Sequence, residues 1–192
     1  MEKTLREKLA EIALQWQANY GVAPSITSAL SEYDAAKLVG MSEREYSDYM
    51  KEQAKLIAKG LPKGEMPKAR DLSYVMIAPL DFDRMVQNIL ENARKHGFTD
   101  KTRTDYMVWI NLSVDEKRDM YIIDFMNNGT PLPNGITKAR YGLKGEKAGK
   151  TGGTGSGGYI VKSIINHYGG DYDIFCKDGI TTIRIYLPIA TI

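Results

Sequence analysis

The sequence predicts an α/β two-layer sandwich, a mixed sheet with helices on one face, preceded by a small all-helical N-terminal region. Three observations carry this prediction. Residues 1–70 show helical periodicity throughout. Residues 71–192 run in the order apolar segment, helix, two strands, loop, helix, hairpin. Such an order lets one sheet face bury against one layer of helices. Finally, 13 of the 18 glycines fall between Gly129 and Gly179. That local density marks either a linker or a backbone shaped around a ligand.

In TLREKLAEIALQWQANYG, Leu5, Leu9, Ile12, Trp16 and Tyr20 repeat at the three-to-four spacing of one buried stripe. Gly21 and Pro24 end that helix. A short helix around SEYDAAKLV stops at Gly40. Ser42 and Glu45 form a capping box that opens a third helix. This pair of helices suggests a helix-turn-helix or a packed helical hairpin. The second helix carries Glu43, Glu45, Asp48 and Glu52, which phosphates would repel, so nucleic acid is disfavoured as partner. Residues 1–60 are read as the helical region and 61–71, with Pro62, Gly64 and Pro67, as a linker to a domain over 72–192. The N-terminal helices could serve as a homodimer contact.

In the main domain DFDRMVQNILENARKHG is a helix with Asp81 as N-cap and Gly97 as C-cap. YMVWINLSVD and DMYIIDFM are rich in β-branched and aromatic residues and read as strands. SGGYIVKSIINHYGG is a helix opening on glycines, and DYDIFCKDGITTIRIYLPI is a hairpin across Lys177, Asp178 and Gly179. Lys+Arg 26 against Asp+Glu 24 leaves +2, too small a charge to select nucleic acid or anionic lipid. The single cysteine excludes a disulfide framework. The longest apolar runs fall short of the roughly 18 residues of a membrane span. A cytoplasmic protein without signal peptide is expected.

Asn88, Asn92 and Lys95 share one helical arc beside the apolar face of Met85, Val86, Ile89, Leu90 and Ala93. An amide oxygen there could ligate Mg²⁺, and an ammonium could meet phosphate. Equally, both asparagines could satisfy neighbouring backbone. Asn127, Asn128 and Gly129 close a strand in a turn, or place a polar side chain and a glycine against a purine ring. The glycines before the apolar helix Ile160, Val161, Ile164, Ile165 free backbone N–H groups at a helix N-terminus, which is an anion site.

Taken together, these segments resemble the GHKL ATPase superfamily of gyrase, heat-shock chaperone, histidine-kinase and mismatch-repair ATPases. NILENARKHG is similar to its N box, NNGTPLP to its first glycine box, and GGTGSGGYIVKSIINHYGG to its second, in the histidine-kinase form. The resemblance covers about residues 72–188, with a Lys/Gly-rich stretch where the ATP lid belongs. It implies ATP and Mg²⁺ held between helices and lid. By the resemblance, Asn92 binds Mg²⁺, Lys95 touches phosphate, and Asn127 contacts the adenine amino group. Gly129 follows it as in the family. Gly153, Thr154, Gly155, Ser156 and Gly157 form the phosphate cradle, and Thr181 supports the adenine contact. Tyr141 and Lys144 stand in the lid, where one of its lysines could reach the γ-phosphate.

The departures are informative. Asn127 replaces the family's aspartate, so the contact loses its charge. Ser156 and Gly158 replace leucines. Where the hydrolytic branches carry a water-activating glutamate one turn before the metal-binding asparagine, this chain has Asn88, and an amide is no general base. His96 and His167, the only histidines, both lie inside family boxes, so no phosphoacceptor histidine stands on the preceding helices. No catalytic residue can be named. The reading is an ATP·Mg²⁺-binding, histidine-kinase-like phosphotransferase acting on a protein partner in trans. An ATP-switched binding module and a slow ATPase are the alternatives.

Overall fold

The computed structural model describes residues 3–28, 37–38, 51, 73–132, 138–141 and 156–191. The chain runs α1 (Leu5–Tyr20), β1 (Ser25–Ser28), β2 (Lys37–Leu38), β3 (Ser73–Val75) and α2 (Pro79–Asn92). It continues through β4 (Val108–Asp115), β5 (Met120–Asn127), the short helix α3 (Lys138–Tyr141), α4 (Gly157–His167), β6 (Asp171–Lys177), β7 (Ile180–Pro188) and β8 (Ala190–Thr191). The main sheet has the order β1-β4-β5-β7-β6; β1 runs parallel to β4 and every other pair is antiparallel. This is the mixed sheet the sequence predicts. A second, small sheet has the order β2-β3-β8.

Alternation sets the core. Val108, Ile110 and Leu112 of β4, Tyr121, Ile123 and Phe125 of β5, and Ile183, Ile185 and Leu187 of β7 point to one side and are buried. Against them lie Phe82, Met85, Val86, Ile89 and Leu90 of α2 and Val161, Ile164 and Ile165 of α4. Leu5, Leu9, Ile12 and Trp16 of α1 join the same cluster. Tyr20, the last position of the expected stripe, does not; it is 41 % exposed and its ring carries Arg94 4.6 Å from the centroid.

Local chemistry explains the ends. Thr4 caps α1 in a reciprocal box with Glu7, and Gly21 closes it at φ 73°. The hairpin β6–β7 turns through Asp178 at φ 51° and Gly179 at φ 77°, the two positive values that a two-residue type I′ turn requires. Two expectations are corrected. Asp81 is not the N-cap of α2: the helix starts at Pro79, with Ala78 before it. Asp81 sits in the first turn and accepts a 2.6 Å hydrogen bond from the Tyr168 hydroxyl, which itself receives the Ala78 N–H at 3.3 Å. Nor does Gly97 cap the helix in the left-handed conformation. α2 instead widens into a π turn over Ala93–Gly97, closed by Phe98 N–H to Ala93 O at 3.1 Å.

β1 and β2 both depart from the helical reading of the N-terminal residues: Lys37 and Leu38, in the segment expected as a short helix before Gly40, pair with β3 as a strand. The helix expected at Ser42 and the linker 61–71 lie outside the described residues.

Candidate functional site

The last turns of α2, the start of α4 and the ends of β5 and β7 converge on one side of the helical layer. At the helical end, Asn88 donates Nδ2 to Arg84 O at 2.7 Å, and Asn92 donates Nδ2 to the Tyr141 hydroxyl at 3.1 Å. Their carbonyl oxygens are thereby turned toward Gly157. A Cβ there would stand 3.2 Å from Asn92 Oδ1 and 3.4 Å from Asn88 Oδ1. Ser156 takes the N-cap position of α4 without a side-chain cap bond. Two amide oxygens thus face the N-terminus of an 11-residue helix, which presents free N–H groups and the positive end of its dipole.

Gly158 carries no side chain for a visible reason: a Cβ would collide with the carbonyl oxygen of Tyr141. The short helix α3 lies on the start of α4 and is fixed from its other end by Lys138. The Lys138 ammonium meets Asp171 Oδ1 at 2.6 Å, and its carbonyl accepts from the Tyr172 hydroxyl at 2.7 Å. Burial pushes the Tyr141 phenol up to about 12, only partly offset by the bond from Asn92. Tyr141 is therefore a neutral hydroxyl at any ordinary pH.

At the sheet end, Asn127 is 7 % exposed and its Oδ1 accepts the Gly129 N–H at 3.1 Å. Gly129 is required by close approach: a Cβ on it would lie 2.6 Å from the backbone of Gly97. Thr130 N–H then bonds to Gly97 O at 2.7 Å. Asn127 pairs across the ladder with Thr181. Thr181 is buried, and among the described residues its hydroxyl has no hydrogen-bond partner. A buried orphan hydroxyl costs free energy on the order of 1–3 kcal/mol unless a ligand satisfies it. Asn128 holds the turn from outside, accepting Met107 N–H at 2.8 Å and donating to Asp105 O at 2.8 Å.

Lys95 lies within the π turn, and its ammonium rests 3.0 Å from Glu91 Oε2. Arg94 meets the same oxygen at 3.1 Å. Burial alone would raise the Glu91 carboxyl, but hydrogen bonds from Arg94, Tyr20 and Lys95 outweigh it and bring it down to about 2. Lys144, Gly153, Thr154 and Gly155 lie outside the described residues. Sequence reading missed Gly97 as a packing partner of Gly129, Asn128 as the anchor of the turn, and the Asn92–Tyr141 bond. For the first two, the N-G pair closing an apolar strand was the available signal.

The site thus has a polar end for anions and an oxygen-seeking cation, and a buried end with an unmet hydroxyl among the described residues. The π turn Ala93–Gly97 links Asn92 at one end to Gly97 at the other. The histidine kinase-, DNA gyrase B- and HSP90-like ATPase family model matches residues 78–191, and the chain belongs to that family. Among solved structures, a mycobacterial sensor histidine kinase, MprB, is similar at 14 % identity and TM-score 0.63, covering 100 % of this chain and 99 % of that one. The catalytic domain of histidine kinase ThkA is similar at 13 % identity and TM-score 0.61, over 98 % of this chain and 94 % of that one. The ATP-binding domain of PrrB from Mycobacterium tuberculosis follows at 14 % identity and TM-score 0.56, over 100 % and 98 %. At such identities the likeness is one of fold. No curated protein matches the chain by sequence. Among the described residues no helix is long and apolar enough to cross a membrane.

The residues present fit the nucleotide and cation that the family handles. Asn92 Oδ1 is an oxygen donor suited to Mg²⁺, which takes most of its ligands from water and phosphate. Among the described residues no cluster of three or more His, Cys, Asp and Glu could hold a metal ion.

Proposed function

We propose that this chain binds ATP·Mg²⁺ and passes the γ-phosphoryl group to a protein partner in trans. Asn92 holds the cation, and Asn88 Oδ1 lies beside it. The N-terminus of α4, with Ser156 and Gly157, receives phosphate, continued by Gly153, Thr154, Gly155 and Lys144. Asn127, Gly129 and Thr181 receive the base. Tyr141 covers the cation side and positions Asn92. A cation held by Asn92 would neutralise phosphate charge; the bond from the γ-phosphorus to the bridging oxygen breaks as the acceptor gives up its proton to solvent. ADP leaves, and the acceptor's nitrogen or oxygen takes the phosphoryl group.

One observation carries the choice of transfer over hydrolysis. The position that would hold a general base is Asn88, whose amide is bound to its own helix. The adjacent carboxylate, Glu91, is held by three side chains and depressed to about 2, which leaves it a very weak base. The acceptor lies outside these 192 residues, since His96 and His167 sit in the N box and the second glycine box. The stripe of α1 is spent on the core, so a partner meets other surfaces of the N-terminal region.

Incubation with γ-labelled ATP·Mg²⁺, alone and with candidate acceptor proteins, tests this. Label on an acceptor, lost with Asn92→Ala, is the expected result. Free phosphate as the sole product makes the chain an ATPase; saturable binding without turnover makes it a nucleotide-switched module. Absence of binding overturns the reading altogether.

A further inference from the structure

We infer that the base subsite accepts 6-oxopurine triphosphates, GTP or ITP, at least as well as ATP, and that Asn127 sets this choice. The inference rests on the placement of the base given above. Its physical origin is the atom that Asn127 presents. The Gly129 N–H reaches the Asn127 side chain at 3.1 Å, and only the carbonyl oxygen of an amide can receive it. The same oxygen faces Gly97, where a Cβ would come within 3.0 Å. Oδ1 is therefore packed between two glycine backbones. Turning the amide over would set N–H against N–H. Nδ2 is thereby left on the other side.

Across the ladder stands Thr181, whose buried hydroxyl lacks a partner among the described residues. A hydroxyl donates or accepts as its ligand requires. A base edge entering here meets one fixed donor, Nδ2–H, and one adaptable group. Adenine presents a donor at its 6-position, which opposes Nδ2–H, so it must shift to set its ring nitrogen N1 on Nδ2–H and its amino group on Thr181 Oγ1. A 6-oxopurine presents a carbonyl at the 6-position and an N1–H beside it. The carbonyl takes Nδ2–H and the N1–H takes Thr181 Oγ1, so both contacts match in sign. A carboxylate at position 127 reverses the preference: it only accepts, so it welcomes the amino group and repels the oxo group. Selectivity built on hydrogen-bond sign discriminates more sharply than fit in an apolar pocket.

The test is competitive displacement of a fluorescent ATP analogue from the full chain in Mg²⁺, by ATP, GTP and ITP, for native protein and Asn127→Asp. Native protein is expected to bind GTP and ITP within about threefold of ATP or tighter, and Asn127→Asp to move the ratio about tenfold or more toward ATP. A native preference for ATP of tenfold or more over both competitors overturns the inference and leaves the ATP reading intact. A ratio unchanged in Asn127→Asp removes Asn127 as the deciding residue. Failure of native protein to bind any of the three overturns the inference together with the reading it rests on.

Discussion

Replacing Gly129 by alanine tests how the two halves of the site are joined. A Cβ at this position would stand 2.6 Å from the Gly97 carbonyl carbon and Cα, where ordinary contact begins at 3.4 Å. Those are backbone atoms, so no side chain can swing aside; the π turn and the strand end must separate by about 0.8 Å. One hydrogen bond crosses that junction, Thr130 N–H to Gly97 O at 2.7 Å, and a second, Gly129 N–H to Asn127 Oδ1 at 3.1 Å, holds the turn beside it. At about 1 kcal/mol each, plus about 1 kcal/mol or more of overpacking, the loss comes to roughly 3 kcal/mol. For a chain of this length that lowers Tm by about 6–12 °C. Gly179→Ala is the control, because it has open space around it and pays only for φ 77°, about 1 kcal/mol. Thermal unfolding of both variants, with nucleotide titration, gives the answer. If Gly129→Ala melts no lower than Gly179→Ala, close approach to Gly97 is not what fixes this turn.

Asn92→Ala should lose the Mg²⁺-dependent part of nucleotide affinity while costing only about 1 kcal/mol of stability, the bond to Tyr141; titrations with Mg²⁺ and with chelator check this, and a retained Mg²⁺ response refutes it. Glu91 is depressed from its ordinary value of 4.5 to about 2, so its stabilisation is complete above pH 4.5 and fades as pH falls toward 2, with an upper bound of about 3 kcal/mol. Urea midpoints of native protein and Glu91→Gln should therefore differ most near pH 6 and converge in acid; a constant difference contradicts the network. Asp124, 6 % exposed, takes both arms of Arg184 at 2.7 and 2.9 Å, so Asp124→Ala should cost about 2–3 kcal/mol in denaturant unfolding; a cost below about 0.5 kcal/mol makes the pair incidental.

What the sequence shows and what it hides divide along physical lines. Strands β4, β5 and β7 were legible because alternation of large apolar residues is a local signal, and the Asp178-Gly179 turn because positive φ selects those residues. The family boxes were legible because order and spacing survive where identity does not. The π turn was not, since hydrogen bonds to the fifth residue leave no compositional mark. Tyr168 in the role expected of Asp81 was hidden for a different reason: the two residues lie 87 positions apart. Tyr20 fitted the periodicity but sits where α1 runs out over Arg94 and Glu91, and it serves that ion network instead of the core. β1 is too short and too polar, as SITS, to announce itself; it is a strand because β4 offers it an edge.

That edge has a consequence for synthesis. Thr27 hydrogen-bonds Asn111, 84 residues later. At about 5–20 residues per second, the first strand leaves the ribosome roughly 4–17 s before the strand it joins. Through that interval Leu5, Leu9, Ile12 and Trp16 have no sheet to cover them. Helix α1 is thus made well before the sheet that buries it, and a newborn chain depends on β4 and β5 arriving before anything else claims that helix.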